Sequence, residues 1–219
     1  MKKEVKKIVC VGIISIVLFI IWTILIQIVD VQAIGPNQTK VGLATINTYI
    51  HTLTGVHMNL YTMTDYLGLI PIFICMYFAC VGCYQLLKRK SIFKVDLDLI
   101  ILGVYYSIVI LCFIFFEKFP VNYRPILIEG RLEASYPSST TLLVLSVMPT
   151  CILYVKQKIK NNIIKNIVCT ICILFMLFMV IGSCISGVHW FTDIVASVML
   201  CTGLYNIYKS IILYIDRKE

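Results

Sequence analysis

Charge is scarce in this chain. Only 14% of its 219 residues are Asp, Glu, Lys or Arg, while 60% are hydrophobic. A soluble domain is usually about 45–50% apolar even with Gly counted, so water is excluded as the solvent for most of the surface. The composition points to an integral membrane protein, one domain of several helices. The apolar runs hold almost no charge, which argues against a proton- or ion-coupled transporter. No internal repeat, low-complexity tract or nucleic-acid module is present. The Lys runs are short and flank the apolar stretches, so nucleic acid is not an expected partner. Cysteine is plentiful at ten, but metal-binding company is missing. Cys80/Cys83 and Cys169/Cys172 fall inside apolar runs with no nearby His or acid, and read as small polarisable packing residues.

What is present is a series of six apolar stretches, near Ile8–Val29, Tyr66–Leu86, Leu97–Phe116, Ser138–Val155, Ile167–Ile185 and Phe191–Tyr208. At 1.5 Å per residue each is long enough to cross a ~30 Å hydrocarbon core as a helix. The expected fold class is all-α: a polytopic membrane protein with six transmembrane helices in a bundle, residues 1–219 forming a single domain. The last apolar pattern continues to Ile215 as a helix emerging into the interface. The first stretch has a Lys-rich start and Val31-Gln32-Ala33 after it, features of a signal peptide. Its length exceeds the ~7–15 residues of a signal core, so a retained helix is expected.

The distribution of cations sets the expected topology. Fifteen of the 19 lie before the first stretch (Lys2, Lys3, Lys6, Lys7), between the second and third (Lys88, Arg89, Lys90, Lys94), between the fourth and fifth (Lys156, Lys158, Lys160, Lys165), or late (Lys209, Arg217, Lys218). Lys40, Lys118, Arg124 and Arg131 fall on the other side. The positive-inside rule makes the first side cytoplasmic, with both termini inside and the plasma membrane as the location. The segment around 41–60 is too mixed to span. It suits a short amphipathic helix on the outer surface, and it carries His51 and His57.

Titratable groups converge on that outer face: His51, His57, His189, Arg124, Arg131 and Asp193. In a chain this poor in charge, such convergence marks a site. A phosphate monoester is a dianion, and a cage for it needs cations, hydroxyls and free backbone N–H groups. Arg124 offers a planar fork matched to phosphate oxygens, with Pro125 fixing the backbone after it. Ser138 and Ser139 follow Pro137 and open a helix whose first turn is an anion-binding end; taken alone, they read as an ordinary N-cap. His189 and Asp193 are four apart. If the sixth helix begins near His189, they share a face, and the carboxylate can orient the imidazole for attack on phosphorus. Gly187 permits a tight turn before them, and Trp190 suits an interface anchor.

The order Asn122-Tyr123-Arg124-Pro125, Tyr136-Pro137-Ser138-Ser139-Thr140-Thr141 and Ser186 to Asp193 resembles the three phosphate-site motifs of the type 2 phosphatidic acid phosphatase / vanadium haloperoxidase superfamily, in its membrane lipid-phosphatase branch. The resemblance covers Glu117 to Asp193 and the six-span layout. The family pattern is Lys-x6-Arg-Pro, Pro-Ser-Gly-His and Ser-Arg-x5-His-x3-Asp. Here Arg124, Pro125, Pro137, Ser138, His189 and Asp193 match. Glu117 stands at the Lys position with Lys118 one residue late. Ser139 stands for Gly, Thr140 for His, Gly182 for Ser and Ser183 for Arg.

The resemblance implies a membrane phosphatase that hydrolyses a lipid phosphate or isoprenyl diphosphate at the outer face, without metal or cofactor. It implies a phosphohistidine on His189, orientation by Asp193, and phosphate binding by Arg124, Ser138, Ser139 and Lys118. The leaving-group acid is absent at Thr140, where such an acid is typically worth 10²–10⁴-fold. His51 or His57 as acid, and Arg131 or Lys118 as cation, are compensating candidates. A substrate with a good leaving group would need less acid. The alternative is a catalytically impaired lipid-phosphate-binding or scaffold protein in the membrane.

Overall fold

A computed structural model describes residues Lys2–Ile215; Arg217 and Lys218, counted above among the late cations, lie outside the described residues. Eight helices follow in chain order: α1 Lys2–Ile28, α2 Ala44–Thr54, α3 Met58–Leu67, α4 Leu69–Arg89, α5 Leu97–Lys118, α6 Ser139–Lys158, α7 Asn162–Ile185 and α8 Phe191–Ile215. The fold is all-α, with isolated β-bridges but no sheet among the described residues. Six of its segments are long and apolar enough to cross a membrane, with α3 and α4 together making the second.

The centre of the bundle is α6 and α8, the least apolar and most buried of the spanning helices. The two facts have one cause. Lipid tails are as apolar as Leu, so helices associate in a bilayer through small and polar residues that let backbones approach. Ser197 of α8 donates to the Ser138 carbonyl at 3.0 Å, Ser146 Oγ lies 3.4 Å from Cys201 Sγ, and Tyr105 of α5 donates to the Ser146 carbonyl at 3.2 Å. Cys172 packs with Val144, Met148 and Met179. By contrast α1 and α7 turn rows of Ile, Leu and Val outward.

The first apolar stretch is part of this core. A Cβ on Gly203 of α8 would lie 2.5 Å from Ile16, and one on Gly12 would lie 3.2 Å from the Gly203 carbonyl, so α1 and α8 touch at backbone distance. Phe19 and Ile26 are buried, Trp22 donates to the Thr192 carbonyl at 3.1 Å, and Thr23 shares a 2.6 Å hydrogen bond with Tyr136.

The outer segment differs from expectation. Instead of one amphipathic helix over 41–60 there are two, α2 and α3, broken at Gly55-Val56-His57, and α3 leads almost directly into α4. The break is set by the turn beside it. Gly187 has φ +69°, and a Cβ there would sit 2.0 Å from the Gly55 carbonyl oxygen. The chain at 55–57 packs against the 186–190 turn, where His57 N–H donates to the Ser186 carbonyl at 2.9 Å.

Candidate active site

The connection from α5 to α6 builds the site. Glu129 and Gly130 both have positive φ, which closes a two-residue hairpin turn of the I′ kind. The chain then pairs with itself: Arg124 N–H donates to the Glu133 carbonyl at 3.0 Å, and Ser135 N–H to the Asn122 carbonyl at 2.9 Å. Residues two apart on a strand, and residues directly opposite across a pair, share one face. Asn122, Arg124, Glu133 and Ser135 therefore share a face, and four short-range contacts tie it to the 189–193 turn.

Those contacts form a chain. Ser135 Oγ donates to Asp193 Oδ2, and Asn122 Nδ2 donates to Oδ1 at 3.0 Å. With its proton committed to the carboxylate, Ser135 Oγ accepts from His189 Nδ1 at 3.1 Å, and the Ser135 carbonyl offers a second acceptor at 3.2 Å. The imidazole proton thus belongs on Nδ1. Nε2 is left with its lone pair, 3.4 Å from Arg124 Nη1, which donates to it. Asp193 oxygen also accepts from the Trp190 N–H at 3.2 Å, so one carboxylate caps the start of α8 and anchors the relay.

His189 is buried. Burial holds its imidazolium down to about 3 from an ordinary 6.5, aided by the Arg124 charge and opposed by the hydrogen bond to Ser135. The ring is therefore neutral at physiological pH, as a nucleophile must be. Arg124 is itself almost enclosed. Its guanidinium lies 5.6 Å from the Tyr61 ring centroid and its Nε 3.0 Å from Glu133 Oε2. That Nε has no partner in hydrogen-bonding geometry, so the Glu133 contact is an ion pair without an aligned N–H···O bond.

Beside Arg124 opens a polar cavity of ≈ 240 Å³, lined among others by Glu117, Glu133, Ser135 and Ser139. His189 stands one layer behind it, touching the two wall residues Arg124 and Ser135. A second, apolar groove of ≈ 360 Å³ runs between α4, α5 and α6, past Ile72, Val109 and Thr140. Phe113 and Ser139 line both.

The structure sorts the expected residues. His189, Asp193 and Arg124 come together, and Ser139 reaches the cavity. The direct His189–Asp193 contact does not form: α8 begins at Phe191, after His189, so the two do not share a helical face, and Ser135 bridges them. Ser138 is fully buried as the N-cap of α6, its hydroxyl donating to Thr141 Oγ1 at 3.1 Å. Lys118 is exposed and does not line the cavity; Glu117 does, since neighbouring helical positions point about 100° apart. Arg131 is exposed at the hairpin tip. His51 lies 3.1 Å from the Gly187 carbonyl and packs on Trp190, while His57 turns back to the Thr54 carbonyl at 2.8 Å, so neither reaches the cavity. At the two departed positions of the third motif, small residues serve packing: Gly182, at the Ser position, admits Thr64 and Leu60 of α3, and Ser183, at the Arg position, is buried. Ser135, Asn122 and Glu133 were not anticipated. The Glu129-Gly130 turn was their one sequence signal.

The family model described as the PAP2 superfamily matches residues 72–217. The chain belongs to the PAP2 superfamily. A comparison with curated proteins gives no match. The fold of this PAP2 protein is similar to the crystal structure of the first transmembrane PAP2-type phosphatidylglycerolphosphate phosphatase from Bacillus subtilis, at 16% identity and a TM-score of 0.65. That likeness covers 93% of this chain and 96% of the other, so the fold is shared over nearly the whole chain.

Proposed function

We propose that this PAP2 protein is a membrane phosphatase that removes phosphate from a lipid phosphate or an isoprenyl diphosphate at the outer face of the plasma membrane. The observation that carries the proposal is the placement of His189: buried, with Nδ1 on Ser135, which in turn donates to Asp193, and with Nε2 turned toward Arg124, an arrangement that suits a neutral ring with its lone pair on Nε2. An entering phosphate draws the guanidinium onto its own oxygens, a stronger charge-assisted pairing than the contact to a neutral ring. Nε2 is then uncovered for attack, and a phosphohistidine forms. Arg124 and Ser139 hold the transferring group. The shared wall of cavity and groove supports a lipid substrate, with the phosphate beside Arg124 and a chain between α4, α5 and α6. The phosphatidylglycerol phosphate acted on by the structural neighbour is one member of this class. Outward orientation is supported by the basic α4–α5 and α6–α7 connections at the opposite end of the bundle.

The test is phosphate release by the detergent-purified protein from phosphatidic acid, phosphatidylglycerol phosphate and an isoprenyl diphosphate. Turnover is expected in the parent, and its loss in His189→Ala. A second reading is favoured by one observation: the cavity sets two carboxylates, Glu117 and Glu133, against the single guanidinium of Arg124. A folded parent that binds phosphatidic acid without turnover would establish a lipid-phosphate-binding protein and exclude the phosphatase.

A further inference from the structure

The residue that the family uses to protonate the leaving group is replaced by Thr140, which lines the apolar groove and not the polar cavity. His51 and His57 are held by backbone carbonyls outside it. Among the described residues lining the cavity, the carboxylic acids are Glu117 and Glu133. The two are not equivalent. Glu133 Oε2 lies 3.0 Å from Arg124 Nε, whereas the other side of the same guanidinium, Nη1, faces His189 Nε2 at 3.4 Å. One guanidinium thus separates the nucleophilic nitrogen from a carboxyl oxygen. A phosphoryl group bound to that guanidinium would have the attacking atom toward one end and the carboxyl toward the other, which is what in-line displacement requires. The backbone pair between Arg124 and Glu133 fixes this spacing.

Resting on the phosphatase reading above, we infer that Glu133 is the general acid of the first step and the general base of the second, in place of the missing histidine. A phosphate dianion and a carboxylate side by side repel, and uptake of one proton relieves the pair. The monoanionic phosphate monoester brings that proton with it. In the first step the bond from phosphorus to the lipid oxygen breaks, the Nε2–phosphorus bond forms, and the Glu133 proton passes to the departing oxygen. His189 keeps its Nδ1 proton. In the second step the Glu133 carboxylate takes a proton from water as the water oxygen bonds to phosphorus and the Nε2–phosphorus bond breaks. Inorganic phosphate leaves with the proton that the substrate brought, and the imidazole and the Glu133 carboxylate paired with Arg124 are restored.

The test compares single-turnover phosphoenzyme formation by the full-length protein with an alkyl phosphate, whose alkoxide needs a proton, and with p-nitrophenyl phosphate, whose phenolate does not. For Glu133→Gln the alkyl rate is expected to fall about 10²–10⁴-fold, the usual worth of general acid catalysis, and the nitrophenyl rate far less. The phosphohistidine formed from the nitrophenyl ester should outlive that of the parent. Where Glu133→Gln does not fold, Glu133→Asp, a shorter acid, is expected to show a smaller loss with the same dependence on leaving group. Equal losses with both esters, or none, would overturn the assignment while leaving the phosphatase standing. A selective alkyl loss in Glu117→Gln and not in Glu133→Gln would overturn it in favour of the other carboxyl. A folded parent that forms a phosphoenzyme with neither ester would sink the phosphatase reading and this inference together.

Discussion

Ser135 Oγ has one proton, and Asp193 takes it; His189 is then obliged to donate from Nδ1 and to expose its lone pair at Nε2. Removing the hydroxyl cuts the link from the ring to Asp193 and leaves the Ser135 carbonyl, at 3.2 Å, as the acceptor that holds Nδ1. Ser135→Ala is therefore expected to lower kcat by about 10²–10⁴-fold, the range for a catalytic imidazole cut off from its carboxylate, with little change in KM. Steady-state kinetics on phosphatidic acid checks this. Protonation gives a second prediction. Folded His189 resists its proton down to about 3, while the unfolded chain takes one up near 6.5. Between those values the unfolded state binds more protons, so stability is full above pH 6.5 and is lost as pH falls toward 3. Melting temperatures across this window should decline less steeply in His189→Asn than in the parent. Of these relations, the sequence displayed Arg124, His189 and Asp193 through family spacing. Ser135 was hidden, because its partners lie 54 and 58 positions away and no local pattern marks a hydroxyl that closes a relay.

At the scale of elements, the site depends on two pieces that span no membrane. The hairpin between α5 and α6 brings Arg124 to the 189–193 turn. The other piece is α2, whose Asn47 is fully buried: its amide donates to Thr192 Oγ1 at 3.0 Å and accepts from the Thr192 N–H at 3.2 Å. Asn47 thereby satisfies a first-turn N–H of α8 that Asp193 does not reach, and it pins the helix start that carries Asp193. Asn47→Ala would leave a buried N–H without a partner, at a cost of about 1–3 kcal/mol. The expected outcome is a lower melting temperature, together with reduced phosphatase activity in the fraction that stays folded. The mixed composition of 41–60 pointed to a helix apart from the six apolar stretches, where the structure has two, α2 and α3. It gave neither the break at Gly55 nor the buried Asn47, since both answer to the 186–192 turn packed above them.

For the whole molecule, the cation asymmetry yields a topology that intact cells can check. A green fluorescent reporter at the C-terminus should fluoresce in the cytoplasm, and an epitope inserted at Gly130 should be reached by antibody without permeabilisation. A buried epitope with an external C-terminus would invert the site. The sequence by itself determined the solvent, the number of membrane-spanning segments and the family. Apolar length over a fixed hydrocarbon thickness leaves only helices as an answer, and the spacing of Arg124, Ser138, His189 and Asp193 is local enough to read. Only the tertiary structure decided which of the candidate residues meet at the cavity. Ser138 went to a helix cap, Lys118, Arg131, His51 and His57 stayed outside, and Ser135 and Glu133 came in. The physical reason is that a site of this kind is assembled across a hairpin and a helix start. Which side chains meet there depends on strand register and helix onset, and a change of one residue in either turns a side chain to another face.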